Sequence, residues 1–492
     1  MKRSQLFTAK RLTLLMGFLL TGFGYAADLS FDVPSGTNSF TNNYFDTASS
    51  NVNLIKSGAG TLELRRIGDQ VVTGTTTIQE GTLVLNRSVG AGNRNLPQGT
   101  IDIQAGARLV NSIANQMPDV TAITLSNSTL TFNASEYLST ITLRDNSLIN
   151  GTSRFVLNGT SSGGLNAVGG GFAGTMSAEL ALASNWSDTS TTSGPRTGNG
   201  TTPIFVDAGT AFTLSGKIVD GLESSPIGSL NKTGAGTLTL SGNGEYRGTT
   251  TVAAGTLKLD GNLQSYFWNG SANVYGANGA ISVASGATLA GSGSTKGAIN
   301  GAGTVAPGAS PGILTAGSLD ASAGTDFQFE FTAANPSYGD PANSGNDLLR
   351  LRDATPFTAA LDSQNLISIY LNVSGLTGSD IFRGGFFTDA DGSLLSMVQG
   401  ASYSYFVKGD GLGSFSYNGV TYYSLDQYNT NTSQNISFGL ASETVTGNFS
   451  TGAETGQILS FSTVPEPGSA SLAALGLAAL LLRRRRGGSY RR

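Results

Sequence analysis

From Lys56 the chain reads KSGAGTLELRRIGDQVVTGTTTIQEGTLVL, and from Lys232 it reads KTGAGTLTLSGNGEYRGTTTVAAGTLKL. The two segments agree at the lysine, at GAGTL-L, at GTTT and at GTL-L, with fifteen identities in about thirty positions and a length difference of two residues in the middle loop. No other feature constrains the fold as strongly. A unit this short cannot bury its own apolar face, so it has to stack against further units of the same kind.

Inside each unit Gly-Thr-Leu-x-Leu occurs twice, with the leading leucines at 62 and 83 and at 238 and 257, steps of 21 and 19 residues. In Leu62-Glu63-Leu64 and Leu257-Lys258-Leu259 alternate side chains face opposite ways, leucines inward and polar residues outward. Weaker echoes at Leu109, Leu130, Leu148, Phe212, Leu289 and Val305 extend the series in steps of 16 to 32 residues where it is unbroken. A step near twenty matches one coil of a parallel β-helix. Strands stacked about 4.8 Å apart then bury a leucine ladder, and glycines supply the corners where φ is positive. The threonine runs at 75–77 and 249–251 suit such stacking, because β-branched side chains pack on a pleated surface and their hydroxyls pair along it.

These segments, at about 54–86 and 230–260, resemble the autotransporter-associated β-strand repeat, also called the passenger-associated transport repeat. GTVAPGASPGILT, from Gly303 to Thr315, looks like the motif that often follows it. The resemblance implies a surface-exposed parallel β-helix. The expected fold is all-β: a right-handed parallel β-helix over 27–315 and a β cap or small β-sandwich over 316–455, where aromatics replace glycines and the ladder is lost. A linker at 456–463 follows. The Ser-, Thr- and Gly-rich stretch at about 160–204 reads as a loop projecting from the solenoid.

Both ends read as addresses. Lys2, Arg3, Lys10 and Arg11 precede an apolar run from Leu12 to Phe23, and small residues lead to a cleavage site between Ala26 and Ala27; these are the parts of a secretory signal peptide. At the other end Val464, Pro465, Glu466 and Pro467 precede an apolar stretch from Ala470 to Leu482 and then Arg483, Arg484, Arg485 and Arg486. The prolines stop a strand, the Ala- and Leu-rich run makes a short membrane helix, and the arginines hold the cytoplasmic side. This order resembles the PEP-CTERM sorting signal, over 464–492. That resemblance implies recognition of Pro465, Glu466 and Pro467 by an exosortase, a membrane protease, after passage through the export translocon and past signal peptidase. The protein is then expected to be membrane-anchored before processing and afterwards at the cell surface or outside the cell.

With no histidine and no cysteine, imidazole chemistry, thiolate chemistry, their metal sites and disulfides are all excluded. Carboxylates remain as candidate acids and bases, but Asp102, Asp145, Asp207, Asp220 and Glu245 are scattered and read as solvated surface groups. No catalytic residue, cofactor or metal is assigned. Ser344-Gly345-Asn346-Asp347 resembles half of a calcium-binding nonapeptide, a chemistry that needs several stacked copies. Tyr266, Phe267 and Trp268 fall in the 32-residue interval between ladder positions 257 and 289, which places them on an insertion where aromatic faces could stack on sugars. Nucleic acid is disfavoured, since no basic stripe exists between the two ends.

The formal charge of −4 arises from 28 basic and 32 acidic residues. Removing the four basic residues before Ala27 and the six arginines after Pro467 leaves 18 basic against 32 acidic, a charge of −14. The expected function is that of a non-enzymatic exported structural or adhesive protein of a matrix or biofilm, with an exopolysaccharide as candidate partner. The alternatives are a polysaccharide-degrading enzyme, glycosidase or lyase, and a glycan-binding module on the same scaffold.

Overall fold

The computed structural model describes residues 27–40, 52–65, 73–87, 95–119, 121–157, 164–182, 200–220, 227–268, 271–276, 278–308, 312–330 and 347–353. Beyond these it describes the shorter segments 366–372, 381–383, 387–388, 402–409, 414–417, 420–424, 434–440 and 457–463. They are all strand, turn or extended chain: among the described residues there is no helix, and so none long and apolar enough to cross a membrane.

Among the described residues, most strands fall into three stacks. The first runs through thirteen parallel strands from Ala27–Asp32 to Leu319–Asp320. A second holds seventeen, parallel from Thr37–Phe40 to Ser402–Lys408 and ending in the antiparallel strands Val420–Ser424 and Phe415–Tyr417. The third holds ten, from Glu136–Leu138 to Phe387–Thr388. The chain visits them in rotation. Ala122–Ser126 lies in the first stack, Thr129–Phe132 in the second and Glu136–Leu138 in the third, and Thr140–Arg144 then returns beside Ala122–Ser126 with Thr140 opposite Ala122. Long parallel sheets built this way are a β-solenoid.

The repeat leucines stack as their spacing requires. Leu62 lies opposite Leu83 and Leu64 opposite Leu85; Leu238 lies opposite Leu257 and Leu240 opposite Leu259. All eight are fully buried in one apolar cluster that runs from Phe31 to Phe387. Phe212, Leu289 and Val305 fall into one column with Leu238 and Leu257.

Leu148 is corrected by one residue. Its neighbour Ile149 is the buried member, opposite Leu130, whereas Leu148 lies opposite Thr129 and is half-exposed. Asp145 and Asn146, both at positive φ, form the corner just before it, and a corner placed one residue along turns every later side chain to the other face. The ladder also changes column. Starting at Leu62 and passing through Leu83, Leu109, Leu130, Ile149, Met176 and Leu214, it arrives at Leu240, not Leu238. That offset of two is permitted because side chains alternate with period two and the same face stays inward.

Three further expectations change. The stretch expected to project as a loop at 160–204 contains a full coil, Gly164–Ala167, Gly171–Met176 and Glu179–Ala181, and most of the strand Gly200–Val206, while 160–163 and 183–199 lie outside the described residues. Its Leu165, Met176, Leu180 and Leu182 are buried, and the glycines that suggested flexibility make a corner, with Gly169, Gly170 and Gly171 all at positive φ. Beyond 315 the ladder is not lost: Phe327 lies opposite Val305 and Ile369 opposite Phe327, so aromatic and β-branched residues take over the inward positions, with Gly324 at positive φ still marking the corner before Phe327. The expected linker at 456–463 contains the strand Gln457–Thr463, antiparallel to Gln434–Leu440 and to Ile381–Arg383. Ala26, Val464–Pro467, the apolar stretch 470–482 and Arg483–Arg486 lie outside the described residues.

Candidate functional site

The repeat lysine has the same specific environment in both copies. In the strand Val52–Ser57 alternate residues are buried, so Lys56 sits on the inward face beside Leu54, between Phe31 of the preceding coil and Ile78 of the next. An ammonium there has three donors to satisfy. Lys56 Nζ donates to the carbonyls of Ser57 at 2.7 Å, Gly58 at 2.6 Å and Glu80 at 3.0 Å. Lys232 does the same with Thr233 at 3.0 Å, Gly234 at 2.7 Å and Ala254 at 2.9 Å. Gly58 and Gly234 both have φ of 75°, the left-handed conformation that turns their carbonyls to the lysine two residues earlier. The third acceptor belongs to the next coil and directly precedes Gly81 or Gly255. Each lysine therefore ties two successive corners together. Burial lowers Lys232 to about 8; it also lowers Lys56, against the opposing pull of Asp32 and Glu80.

A second buried polar group lies where the third stack begins. Glu136 is fully buried and accepts from the Gln116 backbone N–H at 2.8 Å and from Asn111 Nδ2 at 3.0 Å. Gln116 Oε1 accepts from Asn95 Nδ2 at 2.7 Å and from the Arg87 N–H at 2.9 Å. Burial pushes the Glu136 carboxyl well above the usual carboxylate range. The group satisfies backbone at a corner without regular strand pairing, and the nearby Asp119 carboxylate adds to the upward push on Glu136.

Of the five carboxylates singled out in the sequence, two are not solvated surface groups. Glu245 is buried and paired with Lys217 at 2.6 Å, and Asp220, mostly buried, accepts from Arg247 Nε at 2.6 Å and from the Gly228 N–H at 3.0 Å. Ile218–Val219 and Gly244–Glu245 are neighbouring rungs, which brings each acid to a base from the adjacent coil, a proximity that sequence separation hides. Asp102 lies within the strand Thr100–Ile103 and accepts from Gln104 Nε2 at 3.1 Å, whereas Asp145 and Asp207 lie at corners.

Asp347 does not have the environment of a calcium ligand. Its Oδ1 accepts from the Gly312 N–H at 2.8 Å and its Oδ2 from the Glu330 N–H at 2.7 Å, so both oxygens serve backbone where the second stack passes to the third. Burial pushes this carboxyl up to about 7. Residues 344–346 lie outside the described residues.

The aromatic insertion is a two-stranded antiparallel hairpin, Ser265–Trp268 with Asn273–Gly276, paired with no other strand among the described residues. Tyr266 lies opposite Tyr275, their ring centroids 4.8 Å apart, at 38% and 53% exposure. Sequence reasoning located the insertion but missed Tyr275, because only the hairpin register brings it beside Tyr266.

Comparison with known families adds identity to this geometry. Residues 54–85 and 230–259 match the passenger-associated-transport-repeat, and residues 463–486 match the PEP-CTERM protein-sorting motif. The chain carries two passenger-associated transport repeats and a PEP-CTERM sorting motif. Each such repeat spans two successive rungs of the first and second stacks, and the lysine that clamps them lies near its start. No curated protein and no solved structure matches the chain.

Proposed function

We propose that this protein is a structural or adhesive scaffold of the cell surface or extracellular matrix, exported behind a signal peptide cleaved between Ala26 and Ala27. In this reading it is anchored by the helix over 470–482 until an exosortase cuts at Pro465, Glu466 and Pro467. The observation that carries the reading is the coincidence of a PEP-CTERM motif, which indicates an exosortase-sorted extracellular protein, with passenger-associated transport repeats on a continuous solenoid. The solenoid presents outward-facing polar residues along many rungs, such as Asn53, Asp28 and Thr75, already joined by side-chain hydrogen bonds. A surface of that kind makes many weak contacts to a polysaccharide or a neighbouring cell. The buried or ion-paired state of Glu245 and Asp220 supports a structural role for these acids over a catalytic one.

Mass spectrometry of the mature C-terminus in the native host tests the sorting; a chain ending at Arg492 would overturn it. A reducing-sugar and unsaturated-product assay against acidic and neutral glycans tests the structural role. Turnover abolished by a single carboxylate substitution would replace it with the enzyme reading.

A further inference from the structure

We propose that Tyr266 and Tyr275 form an oxidative cross-linking site, at which one carbon–carbon bond between the two rings closes the hairpin covalently. Four observations meet at this pair. The rings face each other across the strands with centroids 4.8 Å apart and planes tilted by 41°, close enough for an ortho carbon of one to reach an ortho carbon of the other after a small rotation. Both are open to solvent, so a diffusing oxidant reaches them. Among the described residues the hairpin pairs with no third strand, and a two-stranded hairpin is marginal in water, so a covalent tie there has a structural effect. The chain has no cysteine and fifteen tyrosines, so a disulfide is closed to it as an oxidative staple and coupled phenols are open.

The chemistry balances with hydrogen peroxide as oxidant and a haem peroxidase as catalyst. Each phenol gives up one electron and its hydroxyl proton to become a phenoxyl radical. The two radicals join through their ortho carbons, and the two ring protons at the new bond move to the oxygens and restore both aromatic rings. The protein loses two hydrogen atoms in all, and the peroxide takes them up, its oxygen–oxygen bond breaking to give two waters. An extracellular setting for the reaction rests on the export reading above; the chemistry of the pair does not.

The molecule contains its own control. Tyr370 and Tyr422 are also an aromatic pair, with centroids 5.0 Å apart, but at 6% and 5% exposure they are buried. The experiment treats the purified full chain with limiting hydrogen peroxide and a haem peroxidase. Dityrosine fluorescence of the monomer fraction is read, and chymotryptic peptides are mapped for a joined pair lacking two hydrogens. The expected result is a 266–275 link in the monomer, with fluorescence lowered at least tenfold in Tyr266→Phe and in Tyr275→Phe and unchanged in Tyr370→Phe. Phenylalanine keeps the ring and its packing, and unchanged melting of the variants shows that they are folded. Links formed only between chains, links at other tyrosines with 266 and 275 intact, or undiminished fluorescence in Tyr266→Phe would each overturn the proposal. None of these outcomes depends on export.

Discussion

Lys232 Nζ lies 2.9 Å from the carbonyl oxygen of Ala254, a residue one coil further on, while its other two protons go to Thr233 and Gly234 in its own coil. The same arrangement at Lys56 and Glu80 shows that the lysine shared by the two repeats is a corner clamp inside the solenoid. It is no surface charge.

Replacing Lys232 by Met keeps the apolar stem and strands three carbonyls. At about 1 kcal/mol or more each, their loss outweighs the relief of desolvating one ammonium, so a net loss of about 1–3 kcal/mol is expected. Chemical denaturation checks the magnitude. Hydrogen exchange checks the location: amides of Thr256–Leu259 should exchange faster, while those of the distant coil at 122–144 should not.

Gly255 has φ of 65°, and a Cβ there would lie 2.5 Å from the carbonyl oxygens of Gly234 and Gly236; Gly286 has φ of 77° with nothing within 4 Å of such a Cβ. Gly286→Ala is therefore expected to cost only the left-handed backbone, about 1–2 kcal/mol. Gly255→Ala should cost clearly more, because backbone of the preceding coil has to move. Equal melting temperatures for the two variants would show that the coil contact does not matter.

Ile149→Ala removes a buried rung of the ladder and should cost about 2–5 kcal/mol, whereas Leu148→Ala, at a half-exposed position, should cost under about 1.5 kcal/mol. The reverse order in denaturation midpoints would restore the register read from sequence.

The Asp347 carboxyl titrates near 7 in the fold against 3.8 as its ordinary value, so between those limits the folded state holds more protons than the unfolded one. Its contribution to stability is then greatest at the acid end and is lost as pH rises from about 4 to about 7. Glu63 works in the opposite sense: hydrogen bonds from Ser39 and Asn86 hold its carboxyl down to about 2, so its contribution is lost on acidification below its ordinary 4.5. Comparing wild type with Asp347→Asn isolates the first effect. The stability difference between them should shrink as pH rises through that window, measured by denaturation at constant ionic strength, and a pH-independent difference would refute the assignment.

Much of this protein was legible in its residues because a repeated strand carries its own instructions. GTL-x-L places two leucines inward, glycine marks the corner before them, and a second copy about twenty residues on has one economical place to go, directly alongside. The sorting motif is legible for a related reason, since prolines, an apolar run and arginines act through local chemistry alone. Tertiary structure decided whatever depends on which coil meets which. Ile149 and not Leu148 faces inward because a corner of two left-handed residues precedes it. Gly164–Ala167 joins the first stack because its flanking coils offer unpaired edges. Lys217 finds Glu245, and Tyr266 finds Tyr275, across gaps that only stacking or a hairpin register closes. The repeat lysine combines both sources: sequence marked it as shared between the units, but its three carbonyl partners exist only once two corners have been stacked.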